Sequence, residues 1–253
     1  MSTAEIAFLC VAAFAAGGLD AVVGGGGLVQ LPALLLVLPH TPVVQLLGTN
    51  KLAAIVGTGS AAATYSRRVD MHAPTAARMA VAAFVGSALG ALLATVAGSS
   101  VLRPVVLVAL VCVWVYTLRR PGLGEAEALR LTPRGQAGVA LGGGALIGLY
   151  DGFVGPGTGS FLVFLLVGAV GLSFLHASAT AKAVNTMTNL AALLLFGLTG
   201  HVLWRLGAAM ALSNLAGAQL GVRIAIRRGS TWVRRVFLVV VAVLIVRLAI
   251  DVV

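Results

Sequence analysis

Lysine occurs only twice in this 253-residue chain, at Lys51 and Lys182, and each lies inside a long apolar run. Aspartate meets the same condition at Asp20 and Asp151, each just ahead of a cluster of glycines. A charge at the centre of a membrane helix costs about 2.5–3.5 kcal/mol on insertion scales, so it persists only when paired or facing a polar cavity. Two bases and two acids in such places allow two kinds of chemistry. They can neutralise each other as structural ion pairs that tie parts of the protein together. Alternatively, the lysines can bind an anionic solute while the aspartates couple to protons or orient the lysines. A pair that opens when solute arrives does both.

The glycines carry the second signal. Gly24-Gly25-Gly26-Gly27 follows Asp20, and Gly155-Pro156-Gly157-Thr158-Gly159 follows Asp151. Glycine lets a helix break and lets unpaired backbone N–H groups approach a ligand. Non-helical backbone at membrane depth survives only where protein or a water-filled cavity surrounds it. The short apolar segment after each cluster presents a positive helix N-terminus, which suits an anion. Polar stripes accompany the lysines: Thr49, Asn50, Thr58 and Ser60 around one, Thr180, Asn185, Thr188 and Asn189 around the other. Lys182, Asn185 and Asn189 share one helical face. Such stripes serve as interhelical hydrogen bonds or line a solvated pathway.

Other chemistries find less support. The Gly-x-Gly pairs follow no strand and precede no βαβ unit, so a dinucleotide loop is rejected. Ser160 could act as an intramembrane nucleophile, but nothing in the spacing of His176 or His201 marks a dyad. Cys10 and Cys112 sit in apolar segments and give neither a disulfide framework nor a metal spacing. No catalytic set, metal site or cofactor is expected. Gly86/Gly90, Gly144/Gly148 and Gly217/Gly221, at four-residue spacing, read as close helix packing by small residues.

The elements that position these residues must lie in lipid. Hydrophobic residues make up 60% of the chain, charged residues 9%, and the mean hydropathy is +1.06. A water-facing surface needs about 25% charged residues. Ten apolar segments are marked, near 4–23, 28–38, 43–65, 76–97, 101–118, 135–154, 159–170, 174–198, 203–222 and 232–250. The second and seventh span about 17 Å as helix, short of a bilayer core of about 30 Å, and read as return arms of broken or re-entrant hairpins. The first segment lacks a basic n-region and carries Glu5, so no cleavable signal peptide is expected.

The chain repeats itself. A displacement of 131 residues, without a gap, sets Gly17 on Gly148, Asp20 on Asp151, Gly24 on Gly155 and Gly26 on Gly157. It also sets Leu34 on Leu165, Thr49 on Thr180 and Lys51 on Lys182. This implies a first repeat at 1–118, a basic linker at 119–134 and a second repeat at 135–253. The net charge of +10 comes from arginines clustered between apolar runs, the pattern of cytoplasmic loops and not of a nucleic-acid surface. Placing Arg67, Arg68 and Arg78, the linker arginines and the 223–235 loop inside puts both termini outside. The two halves are then inverted, as is common in secondary transporters. An eight-span arrangement with a cytoplasmic N-terminus would put the five arginines of 223–235 outside, against the charge rule.

Two passages resemble a known family. Asp20-Ala-Val-Val-Gly-Gly-Gly-Gly-Leu-Val-Gln-Leu-Pro32 with Gly48-Thr49-Asn50-Lys51 is similar to the first-half signature of the TauE/SafE sulfite exporter family. Tyr150-Asp151-Gly-Phe-Val-Gly-Pro-Gly-Thr-Gly-Ser160, with Ala179-Thr180-Ala181-Lys182 and Asn185, is similar to its second half, in wording closest to the YfcA-like branch. The resemblance covers essentially the whole chain. It implies a plasma-membrane permease for sulfite, sulfoacetate or another organosulfur anion. Carried over by position, the substrate region comprises Gly24, Gly25, Gly26, Gly27, Thr49, Asn50 and Lys51 from the first half. From the second half it takes Gly155, Gly157, Thr158, Gly159, Thr180, Lys182 and Asn185, with Asp20 and Asp151 for proton coupling or ion pairing. The expectation is therefore an all-α membrane protein of two inverted repeats with about five segments each. It would export a small anion by alternating access, with the bilayer and the solute as partners, no nucleic acid, and self-association left open. The alternatives are a carrier of a cationic or neutral solute with the aspartates as ligands, and an intramembrane hydrolase using Ser160.

Overall fold

The structure, a computed structural model, describes residues 1–69, 73–96 and 131–252. The expected segment at 101–118 with Cys112, and linker residues 119–130, lie outside the described residues. Eight helices follow in order: α1 (Thr3–Val23), α2 (Gly27–Val37), α3 (Val43–Ser66), α4 (Ala73–Ala94), α5 (Pro133–Phe153), α6 (Thr158–Leu165), α7 (Phe174–Leu198) and α8 (Trp204–Val252). A π-helical turn, Leu166–Val170, extends α6, and no strand occurs among the described residues.

Local sequence sets the boundaries. Ser2 and Glu5 form a capping box at the start of α1, with Ser2 N donating to Glu5 Oε2 at 2.7 Å. Thr132 caps α5 ahead of Pro133, and Ser173 caps α7 by accepting from His176 N. Gly24 ends α1 in the left-handed region, at φ 82°, and its N–H closes on Asp20 O at 2.9 Å. A side chain there would be strained, so glycine is what lets the chain stop immediately after Asp20.

Among the described residues, four helices are long and apolar enough to cross a membrane: Thr3–Val23, Ala73–Ala94, Phe174–Leu198 and Trp204–Gly229. Large apolar side chains such as Val11, Leu36, Leu146 and Leu212 are exposed on the bundle exterior, as lipid contact requires. This is an all-α integral membrane protein. The expected break between the last two segments is present but narrower than 223–235: it falls at Gly229 (φ 73°, ψ −173°), which divides α8 into two helices with the arginines helical on either side. Arginine is a strong helix former, so charge alone does not end a helix; the glycine bends it.

Displaced by 131, α1 to α4 coincide within a residue with the starts of α5 to α8. Packing is reciprocal in the same register: α4 lies on α5 as α8 lies on α1, and α3 on α8 as α7 on α4. The closest approaches repeat residue for residue. A Cβ on Gly86 would land on Ala145 O, as one on Gly217 would on Phe14 O. The pairs Gly90 with Leu149 O and Gly221 with Gly18 O match likewise, as do Gly148 with Ala83 O and Gly17 with Asn214 O. The glycines at four-residue spacing are thus backbone-contact residues, and the small-residue packing reading holds.

These contacts generate a prediction. Gly148→Ala must push α4 from α5 and should lower the thermal midpoint of the detergent-solubilised protein, with a cost of about 1–3 kcal/mol. Gly142→Ala, which meets nothing within 4 Å, should leave the midpoint unchanged. Equal midpoints for the two variants would remove the close-packing account.

Candidate functional site

Lys51 on α3 and Asp151 on α5 are each 2% exposed and lie 2.7 Å apart, Nζ to Oδ2. Lys182 on α7 is fully buried and donates from Nζ to Oδ2 of Asp20 on α1 at 2.8 Å. Each pair therefore joins a lysine of one half to the aspartate of the other, and each is the counterpart of the other at the 131-residue displacement. They differ in alignment. The Lys182 pair is a directed hydrogen bond, whereas Lys51 stands off the hydrogen-bonding direction of Asp151 Oδ2, which takes no aligned bond. At 2.7 Å the charge contact is what compensates Asp151.

The two helix breaks meet beside these pairs. Gly24 and Gly159 lie backbone to backbone, each where a Cβ would overlap the other, and Gly27 faces Pro156. Three side chains brace the junction. Ser160 Oγ donates to Val23 O at 2.9 Å and Ser178 Oγ to Val22 O at 3.0 Å, serving carbonyls left unpaired at the end of α1. Tyr150 OH donates to Pro156 O at 2.6 Å, and within the second break Thr158 Oγ1 donates to Gly155 O at 2.7 Å. The Ser160 hydroxyl is thus bonded to backbone, while His176 Nδ1 contacts Ser173 Oγ at 2.7 Å.

A polar cavity of about 20 Å³ sits where the breaks, the ion pairs and the polar stripes converge. That volume holds about one water. Asp20, Lys51 and Asp151 line it, as do Gly24, Gly26 and Gly27 of the first break. Gly155, Gly157, Thr158 and Gly159 of the second break also reach it, with Asn50 and Asn185. Of the residues singled out from sequence, Gly25, Thr49, Thr180 and Lys182 do not line it. Thr49 instead donates to Gln45 O at 2.7 Å and accepts from Leu203 N at 3.0 Å, pinning the entry to α8. Lys182 acts from behind Asp20. Thr180 Oγ1 is buried without a hydrogen-bond partner.

Two wall residues escaped the sequence reading. Gln30 Nε2 donates to Asn50 O at 3.3 Å, and Asn214 Nδ2 donates to Gln30 Oε1 at 3.0 Å. Asn50 Oδ1 is buried without a partner. The counterparts of Asn50, Gln30 and Asn214 in the other half are Ala181, Phe161 and Ala83, so this amide wall exists once. Across the cavity Asn189 Nδ2 donates to Thr58 Oγ1 at 3.4 Å; these two positions are themselves counterparts at the 131-residue displacement.

An all-helical membrane bundle, duplicated within one chain and enclosing ionisable groups around a polar cavity between its halves, defines a polytopic membrane transporter. The family model for the sulfite exporter TauE/SafE matches residues 9–248. The chain is 38% identical to the "Probable membrane transporter protein ORF9" of Sinorhizobium sp, covering 97% of this chain and 93% of that one. It is 36% identical to the "Probable membrane transporter protein YfcA" of Escherichia coli K12, over 94% of this chain and 87% of the relative. A "Probable membrane transporter protein" of Haemophilus influenzae is 34% identical over 90% of this chain. The chain belongs to the TauE/SafE family. No solved structure matches it.

The crossed pairs make a quantitative prediction. Lys51→Met strands Asp151 and should destabilise the protein by about 3–5 kcal/mol, whereas adding Asp151→Asn removes the stranded charge and should recover most of that. Thermal midpoints of the two single variants and the double variant measure the coupling. Additive losses would mean the pair is incidental.

Proposed function

We propose that this protein is a secondary transporter that moves a small anion, such as sulfite, sulfoacetate or another organosulfur anion, by alternating access between two inverted halves in the plasma membrane, with both termini outside. The observation that carries the reading is that Lys51 lines the cavity between the halves while its only described ionic partner is a carboxylate from the opposite half. An anion entering the cavity competes with Asp151 for the ammonium. Once displaced, the carboxylate is a buried charge without compensation and takes up a proton. The anion and one proton then occupy the site together, and the loaded site carries the same net charge as the empty one. Their combined gradients set direction, so an anion that accumulates inside the cell leaves once its own outward gradient exceeds the opposing proton gradient.

The chemistry of the walls supports this assignment. The breaks supply backbone N–H groups at the starts of α2 and α6, which favour negative charge. A cavity with room for about one water is too small for sulfite, so the described conformation is read as occluded and the halves must part to load it. Because the pairs cross between halves, parting the halves and freeing the lysines are one event.

A second reading draws on a specific feature: Asp20 lines the cavity while Lys182 does not. That arrangement would serve a cationic or neutral solute with Asp20 and Asp151 as ligands.

Flux into proteoliposomes separates the two readings. With sulfite, sulfoacetate, sulfate or chloride and an imposed proton gradient, saturable sulfite or sulfonate flux should appear and be accelerated by a pH difference directed with the anion. It should fall at least about a hundredfold in Lys51→Ala, since a lost charge-assisted contact of about 3 kcal/mol corresponds to that factor. No anion flux in folded protein, together with solute binding abolished by Asp20→Asn, would transfer the assignment to the aspartate-centred carrier.

A further inference from the structure

Away from the ion pairs, a second cavity of about 430 Å³ opens between the end of α3 and the middle of α8. Four arginines surround it: Arg67 and Arg68 at the end of α3, Arg223 and Arg227 one turn apart on α8. All four are exposed, and no ion pair to any of them occurs among the described residues. Gln219 and Thr64 form the rest of its polar wall. The Gln219 amide is held there: Nε2 donates to Thr64 Oγ1 at 3.2 Å, to Ser60 O at 3.3 Å and to Ser60 Oγ.

Two ordinary reasons for arginine do not account for the cluster. A helix C-terminus favours cations, which covers Arg67 and Arg68 but not Arg223 and Arg227, well inside α8. Orientation by positive charge requires arginines on one side of the membrane, not their convergence on one cavity. Nor is the chamber a by-product of the duplicated fold. At the matching place in the other half, Arg67, Arg223 and Arg227 are replaced by Leu198, Leu92 and Val96. Those three are exposed apolar side chains, and Thr64 and Gln219 become Leu195 and Ala88. One mouth is basic and concave where its counterpart is apolar.

Like charges gathered around a cavity repel unless an anion shares it, and guanidinium groups match tetrahedral and pyramidal oxyanions with paired N–H donors. α3 links the chamber to the central site, because Thr64 lies about 20 Å along the helix from Lys51. We propose that the four-arginine chamber is an outer binding site for a free small oxyanion at one mouth of the transporter, holding it before it passes along α3 to Lys51. The onward step rests on the anion reading of the central site; oxyanion binding in the chamber does not.

Binding and sided flux test the two parts separately. Full-length protein in phosphatidylcholine nanodiscs should bind radiolabelled sulfite even when Lys51→Met and Asp151→Asn disable the central site. Adding Arg223→Gln and Arg227→Gln should weaken that binding at least about tenfold, and rising chloride should weaken it further. In proteoliposomes of known orientation, the arginine double variant should raise KM for sulfite supplied from the arginine side about tenfold, with kcat and the opposite-side KM unchanged. A general structural defect would alter both sides, and an unchanged thermal midpoint checks folding. KM unaffected on both sides would overturn the proposal while leaving anion transport intact. So would sulfite binding lost in phosphatidylcholine, with the chamber instead occupied only when phosphatidylglycerol is supplied, because the site would then belong to a lipid headgroup. Sulfite bound in the chamber of a protein that moves no anion would keep the outer site and sink the transport reading.

Discussion

A buried charge in a lipid-embedded bundle has to be compensated by another charge, and here each compensation is drawn from the other half of the molecule. Lys51 answers Asp151 and Lys182 answers Asp20. In this arrangement neither half pairs its own lysine with its own aspartate; each ammonium and each carboxylate is answered from the other half. Removing one member of such a pair costs several kcal/mol, so the pairs act as a condition on assembly. The remaining architecture follows from meeting it. α1 and α5 must stop beside their aspartates, which the glycine breaks allow. α3 and α7 must lie at the interface between the halves, where their polar stripes serve.

Hydrophobicity cannot hold the halves together in lipid, since the surrounding chains are as apolar as leucine. The contacts that do so are steric. Gly86, Gly90 and Gly148 bring α4 and α5 to backbone distance, and Gly217, Gly221 and Gly17 do the same for α8 and α1. Packing of this kind is tight within each helix pair, with no directional bonds needed across it. The polar bonds and charges are concentrated instead at the centre, at Lys51, Asp20, Asn189 and Thr58. Steric packing at the periphery and electrostatic contacts at the centre thus join the same two halves by different means.

The lysines and aspartates were legible in the sequence because nothing else explains an ionised group in an apolar run. The helix breaks were legible because glycine clusters recur beside them at the repeat spacing. The family resemblance carried Thr49 and Thr180 into the candidate site by position; in the structure Thr49 faces Leu203 and fixes the start of α8. Repetition hid Gln30 and Asn214, whose counterparts are Phe161 and Ala83, since a search guided by matched positions discards polar residues that occur once. Clustered arginine was taken to mark a loop at 223–235, but charge reports sidedness and not backbone conformation. The break falls at Gly229, where backbone freedom and not charge sets it.

The amide wall formed by Asn50, Gln30 and Asn214 has a consequence beyond its hydrogen bonds. Two identical subunits related by a two-fold axis would present every wall residue twice, and a ligand on the axis would find both of its ends equally accommodated. Here both halves belong to one polypeptide, and the positions that match Asn50, Gln30 and Asn214 hold Ala181, Phe161 and Ala83, none of which lines the chamber. A lining of that kind is able to tell one end of a ligand from the other, which a strictly symmetric one is not.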